Sequence, residues 1–564
     1  MPKQVGAILL DTRSIQKYVF SCNRLKTNIG ASFLVDRIFT DLMPQILNSL
    51  VKDYALKLST DWTKNDGLKI ADDKSGINCE IASIGGGNML ILVDKGEQTS
   101  EVCHKIVNSW SRELLLRAPG LKTGAAIGFL TIGGSNDEFK ISLDNLFKQL
   151  KENQNNILPQ VDLPHTGLTL ECDYSGKVTS VNAIERQGSE KRFVSQEVAA
   201  KMEAFKSADE DYRSILGNEY TFTNELDSLG YKEGESYICI IHIDGNNMGV
   251  KFSNARSMAE RKELSLHVAK IVKDSFKKLV DSIIAEYATY DAYLDMAKLN
   301  KQGSGKKVLP IRPIIIGGDD VTFICPGRVG LIYAKRFIEF VNETRLLSDE
   351  LHKIINEKLK QEALKKGANT PIPTASDHLS CCGGIAIVPA KYPFFRAYEL
   401  AEALCSVAKQ KSRAHDDSLI DFAILHGDMY PNIDQLRANQ YVGVEGKLHY
   451  GPYFILKEVP DKTQINDLLT LTEKLREVAK TSQNKVKKLR SVLTQDAHQI
   501  AQFLENSDKI RELLQQETGK TNVTAQDFWQ KQTGETALKT RYIDAIEIAD
   551  FLIPELYQHH AKED

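Results

Sequence analysis

Three carboxylates and the glycine turns beside them carry the chemistry that this sequence offers. Residues 313–326 read Pro-Ile-Ile-Ile-Gly-Gly-Asp-Asp-Val-Thr-Phe-Ile-Cys-Pro, so two apolar runs, 314–316 and 321–324, flank a Gly317-Gly318-Asp319-Asp320 tip. That is the pattern of a β-hairpin with a two-residue glycine turn. Adjacent carboxylates repel each other, and a bound divalent cation offsets the repulsion. Alternation along a strand sends Asp319 and Asp320 to opposite faces unless the turn twists them, so one would hold metal more directly. A solvated turn uses the same residue types, and the choice between the two readings depends on what else converges there.

Asp244 ends the apolar run of Ile-His-Ile-Asp-Gly-Asn-Asn-Met-Gly, 241–249. If its strand lies beside the hairpin, Asp244, Asp319 and Asp320 share one sheet edge. Mg²⁺ or Mn²⁺ there would take one or two carboxylates and leave positions for water and phosphate. Two such ions roughly 3.5–4 Å apart activate a hydroxyl and stabilise the leaving group of an in-line phosphoryl displacement. Gly245, Asn246 and Asn247 follow directly, a turn whose backbone N–H groups could cradle a triphosphate. Lys409 and Arg413, four residues apart at the end of a helical run, fall on one face and could meet the β- and γ-phosphates. Helix C-termini also attract cations without any ligand.

The elements that would position these residues occur twice. A strand over 5–10 ends at Asp11; helical periodicity follows through residue 50. Strands 81–84 and 89–93 then flank Gly85-Gly86-Gly87-Asn88, and a helix over 97–116 leads to a strand over 124–132. A strand over 236–243, a helix over 255–287, the acidic hairpin, a helix over 329–341 and a strand over 379–388 repeat the order, closed by a helix over 395–413. The fold class is therefore α+β, with two ferredoxin-like βαββαβ palms. The first palm spans 1–140, a helical inserted domain 141–234, the second palm 235–455 and a helical C-terminal domain 456–564. A loop is expected at 158–164. The segment 301–307, Lys-Gln-Gly-Ser-Gly-Lys-Lys, lacks the spacing of a phosphate-binding P-loop.

Composition narrows the function classes. With 42% hydrophobic and 26% charged residues over 564 positions, the chain is expected to be an ordinary globular protein of several domains. The net charge of −3 provides no global basic field for nucleic acid. The run 5–10 is cut off by Asp11 and Arg13, which fits neither a signal peptide nor a membrane span, so a cytoplasmic location with no membrane contact is expected. Nine cysteines without a Cys-x-x-Cys spacing argue against disulfides and against a zinc site. His242 reads as a satisfied sheet histidine, and Cys381-Cys382 as packed thiols.

The second unit resembles the palm of nucleotidyl cyclases, and the whole chain resembles the large polymerase and cyclase subunit of type III CRISPR effector complexes. The resemblance rests on 14–20, Ser-Ile-Gln-Lys-Tyr-Val-Phe, on 30–34, Gly-Ala-Ser-Phe-Leu, and on Gly317 to Asp320. It implies synthesis of cyclic oligoadenylate second messengers from ATP, with Asp319 and Asp320 as the metal-binding pair and Asp244 as the first-strand acid. It also implies a place in antiviral defence, with effector subunits and guide or target RNA as partners. The first palm, with Gly85-Gly86-Gly87-Asn88 at its tip, would position a second nucleotide without catalytic metal. The chain departs from that pattern in starting at the first palm without an HD nuclease domain, so no DNase activity is expected. His415-Asp416 has no supporting His/Asp cluster, and Cys172 stands alone where relatives carry a zinc site. Two alternatives stay open: a stand-alone synthase of a cyclic dinucleotide or mononucleotide, and a catalytically silent scaffold of an RNA complex contacting RNA through the basic stretch 480–490.

Overall fold

In a computed structural model, described for residues 2–22, 24–64, 67–156, 169–180, 184–187, 190–226, 229, 236–301, 303, 305–366, 374–413, 416–427 and 432–558, the chain is a mixed α+β protein built on two large sheets. The expected loop at 158–164, His415 and the junction at 234–235 lie outside the described residues.

The first sheet contains β1 (Lys3–Arg13), β2 (Cys79–Gly85), β3 (Asn88–Val93) and β4 (Lys122–Ile132) in the order β2-β3-β1-β4, with a two-residue strand, Leu58–Ser59, beside β2. Helices α1 (Ile15–Val19) and α2 (Leu25–Arg37) follow β1, α3 (Thr99–Arg117) joins β3 to β4, and α4 (Asn136–Asn155) follows β4. β1 reads as an unbroken apolar run because both its faces are covered: Ile8 and Leu10 join the main core, whereas Val5, Ala7 and Leu9 pack with Leu143 and Leu146 of α4. Gly6 allows the close approach of α3, since a Cβ there would lie 2.4 Å from Thr99 Cγ2.

The segment expected to be a mostly helical insertion carries strands as well. A hairpin pairs Ile184–Gln187 with Glu190–Phe193, and Tyr220–Phe222 pairs in parallel with Lys307–Leu309. These strands are short and rich in charge or aromatics, so they carry no long alternation. Helix α5 (Gln196–Phe205) lies against α2 so closely that a Cβ on Gly30 would sit 1.8 Å from Lys201 O. Lys201 is fully buried there, donating to Tyr18 O at 2.6 Å, Ser21 Oγ at 2.8 Å and Glu197 Oε1 at 2.6 Å.

The second sheet contains β5 (Tyr237–Gly245), β6 (Arg312–Gly317), β7 (Asp320–Pro326), β8 (Cys381–Pro389) and β9 (Leu419–Ile424), in the order β6-β7-β5-β8-β9 with Tyr453–Phe454 at the far edge. β9 runs parallel to β8 and extends this sheet beyond the four-strand order of the first. Helices α6 (Met248–Ser253) and α7 (Met258–Ala285) follow β5, α8 (Gly330–Asn342) follows β7, and α9 (Phe394–Ser412) follows β8. α8 and α9 cover opposite faces: a Cβ on Gly383 would meet Ile338 of α8, and one on Gly384 would lie 1.9 Å from Ala401 O of α9.

Past residue 456 the chain is mainly helical. α10 (Ile465–Val492), interrupted by non-helical backbone at Ser482, packs against α11 (Tyr542–Ala549). One contiguous apolar core includes Ile8 and Ile91 of the first sheet, Ile241 and Ile385 of the second, and Leu468 and Ile548 of these helices. All nine cysteines are free and buried. No helix among the described residues is long and apolar enough to cross a membrane.

Candidate active site

β5 and β7 run antiparallel with Asp244 directly opposite Asp320, so these two side chains rise from the same face of the sheet. The hairpin turn differs from a Gly-Gly tip. Gly317 pairs with Asp320, and the two loop residues are Gly318 and Asp319. Gly318 has φ +59°, while Asp319 keeps a negative φ, the pattern of a type II′ turn. Asp319 thereby leaves the alternation of the strand and leans over Gly245: a Cβ on that glycine would lie 2.7 Å from Asp319 Cβ and 3.0 Å from its Oδ2. Gly245 N donates to Asp319 O at 3.1 Å.

Burial, and after it the negative charge of Asp244, pushes both the Asp319 and the Asp320 carboxyl up to about 7. Asp320 Oδ1 is buried, lies 3.4 Å from His242 Nδ1, and accepts no hydrogen bond among the described residues. Lys409 of α9 reaches the same place, its Nζ 2.5 Å from Asp244 Oδ2 and 2.9 Å from Gly245 O. Burial disfavours its ammonium, but the Asp244 carboxylate outweighs that and leaves the pKa raised. Arg413 sits beyond the last turn of α9 with an exposed side chain that makes no hydrogen bond or ion pair among the described residues.

The turn after Asp244 is tied down more than a free cradle would be. Gly245 N is used by Asp319 O, and Asn246 N donates to Ser380 O at 2.9 Å, so two of the three backbone donors expected for phosphate are already engaged. Asn246 is buried, its Nδ2 donating to Ser412 Oγ and Asp417 O, both at 3.0 Å. Asn247, half-buried in the left-handed conformation with φ 55°, is the member left at the surface.

Three residues that the sequence did not assign to the site border the carboxylates. His242 lies two residues before Asp244 on the same face, with Nδ1 3.2 Å from Thr322 Oγ1; burial keeps its pKa below the ordinary value, so it stays neutral. From the first sheet's side, Gln16 Nε2 donates to Asp320 Oδ2 at 3.5 Å, and Phe20, one turn further on, packs on Tyr398 of α9 with centroids 3.9 Å apart and ring planes tilted by 30°. Spacing of four could have paired Gln16 with Phe20, but nothing local says that they face another sheet. In the first sheet Asp11 lies opposite Asn88, as Asp244 lies opposite Asp320, and accepts from Gln154 Nε2 at 2.7 Å.

Among the described residues no three His, Cys, Asp or Glu side chains are gathered into a ready metal-binding group. The donor set nevertheless fits a divalent cation that uses one or two carboxylates. Asp320 offers a buried oxygen that accepts no hydrogen bond among the described residues, and Asp319 fills the space a Cβ on Gly245 would take.

No curated protein matches the chain in sequence. Among solved structures it is similar to an apo Csm1-Csm4 cassette, at 12% identity and TM-score 0.47 over 97% of this chain and 70% of that one. It is also similar to Csm1 from T. onnurineus, at 14% identity and TM-score 0.45 over 98% and 70%, and to a Csm1-Csm4 cassette in complex with cA4, at 11% and 0.43 over 97% and 70%. Residues 237–418 match the family model of the Cas10/Cmr2 second palm domain. That matched segment carries Asp244, the Asp319-Asp320 hairpin and Lys409.

Proposed function

We propose that this chain is a metal-dependent nucleotidyltransferase that joins ATP into cyclic oligoadenylates, with Asp244, Asp319 and Asp320 as its catalytic carboxylates. The observation that carries the proposal is the direct opposition of Asp244 and Asp320 across β5 and β7, inside a segment that matches a Cas10/Cmr2 second palm. In the proposed reaction a ribose hydroxyl oxygen of one nucleotide bonds to the α-phosphorus of the next, the bond from that phosphorus to the bridging oxygen breaks, and pyrophosphate leaves. Mg²⁺ or Mn²⁺, held by these carboxylates, supplies Lewis-acid stabilisation of phosphoryl charge. Lys409 brings a cation to the same edge, and Asn247 offers its backbone N–H to the donor triphosphate.

The matching strand orders, β2-β3-β1-β4 and β6-β7-β5-β8, support a ferredoxin-like palm in each sheet. We assign the palms to 1–140 and 235–455, the insertion to 141–234 and the last domain to 456–564; α4 crosses the first of these boundaries and packs on the first sheet through Leu143 and Leu146. In the first palm Asp11 occupies the place of Asp244 while Gly87 and Asn88 replace the acidic pair, which supports binding of a second nucleotide there without catalytic metal. Effector subunits and guide or target RNA belong to the same proposal as partners.

The test is incubation of the purified chain with ATP and Mg²⁺ or Mn²⁺, with and without RNA, followed by mass spectrometry. A cyclic product absent from the Asp319→Ala/Asp320→Ala protein supports the assignment. A double variant that still makes product refutes it.

A further inference from the structure

Behind the turn that follows Asp244 lies an ion pair with no exposed surface. Lys251 Nζ of α6 is 3.1 Å from Asp416 Oδ2, and both side chains are 0% exposed. Lys251 Nζ also donates to Asn246 O at 3.2 Å. Asp416 Oδ1 accepts from Asn247 Nδ2 at 2.8 Å, and its Oδ2 accepts from Ser376 N at 2.8 Å. Asn247 and Asp416 both have φ 55°, a left-handed backbone that residues with a side chain adopt only when their surroundings hold them there.

A buried ion pair adds little to stability compared with an apolar pair of the same volume, because desolvation cancels most of the attraction. What these two charges do that an apolar pair could not is fix direction. One holds the carbonyl of Asn246, the other holds the amide of Asn247, and Ser376 N anchors the carboxylate to the segment leading into β8.

We infer that Lys251 and Asp416 are positioning residues that hold the Asn246-Asn247 turn in the geometry in which it meets a nucleotide's phosphates. The inference rests on the proposed nucleotidyl-transfer site and adds to it two residues that touch neither the carboxylates nor the substrate. Asp416 is 172 positions beyond Asp244 in the chain, and only the fold brings it under the turn.

The test separates binding from folding. AMPPNP with Mg²⁺ is titrated calorimetrically into the full chain, and thermal unfolding is followed in parallel. Asp416→Asn leaves Lys251 buried without a counter-charge and lowers Tm. In Lys251→Met/Asp416→Asn both charges are gone, so Tm returns toward wild type, but Asn246 O loses its donor and the amide now at position 416 offers a single acceptor oxygen. The Kd for AMPPNP is expected to stay about tenfold or more above wild type, the loss carried by one charge-assisted hydrogen bond. Arg336→Met is the control. It breaks the Arg336–Glu286 pair, in which neither residue touches Lys251, Asp416 or the Asn246-Asn247 turn, lowers Tm and leaves Kd unchanged.

A double variant that recovers both Tm and Kd overturns the positioning role. A wild-type chain that binds no AMPPNP overturns the proposed site, and this inference with it.

Discussion

Gly384→Ala is the sharpest perturbation of the proposed site's geometry that substitutes none of its side chains. Gly384 of β8 lies opposite His242, on the face covered by α9. A Cβ there would sit 1.9 Å from Ala401 O and 2.4 Å from Cys405 N, where ordinary contact begins near 3.4 Å. The helix must therefore retreat by about 1.5 Å at that point, and backbone cannot swing aside as a side chain does. Lys409 lies eight residues further along α9, about 12 Å at the rise of a helix, and follows the displacement. Overpacking of this kind costs about 1–3 kcal/mol, and for a domain of this size that lowers Tm by roughly 2–4 °C per kcal/mol. A displacement near 1 Å of a group that positions substrate costs about a hundredfold in rate. The assay is product formation from ATP beside thermal unfolding, with Gly249→Ala as the comparison, because a Cβ on Gly249 meets nothing within 4 Å. Unchanged turnover and Tm in Gly384→Ala would refute the argument that this close approach sets the position of Lys409.

Other outcomes follow from single contacts. Asp421 is fully buried; its burial alone would raise its pKa, but Arg437 and His449 hold it near 2. A depressed folded value gives stability that is present above the ordinary carboxyl pKa of 3.8 and lost as pH falls toward 2. The amount is about 2 kcal/mol, and a Tm deficit of Asp421→Asn that fails to shrink across that window would contradict it. Phe20→Ala removes a ring packed between Phe394 and Tyr398 and should destabilise the chain by about 3–5 kcal/mol, measured by denaturant titration. Tyr398→Phe deletes a buried hydroxyl that has no hydrogen-bond partner among the described residues, so calorimetry should find Tm unchanged or raised.

The carboxylates were legible in the sequence because the signal for them is local: an apolar run ending in Asp244, and two apolar runs around an acidic turn. Strand alternation alone does not place Asp319, since it belongs to the loop, where the twist of the turn sets its direction. Gln16 and Asp416 were out of reach for a different reason. Each acts on residues far away in the chain, and neither pattern nor spacing encodes a contact across 304 or 169 positions. The hairpin at 184–193 was missed because half of its residues are charged and no apolar alternation marks them. Lys409 was legible as a cation on the right helix, while its pairing with Asp244 depended on the depth to which Gly384 lets that helix settle.

The two hairpin tips meet. A Cβ on Gly318 would lie 3.6 Å from Gly86 N and 3.9 Å from Gly86 Cα, so the acidic turn of one sheet rests on the glycine turn of the other with only backbone between them. Such a seam is a mechanical stop. Side chains in a contact can change rotamer and let two bodies creep together, but rigid peptide planes have no rotamer to change, so van der Waals contact between main-chain atoms limits how closely the tips approach. Molecules held one at each tip would therefore be kept from approaching more closely than that backbone contact allows. A side chain larger than alanine at 318 would act as a wedge, widening that separation in proportion to its length.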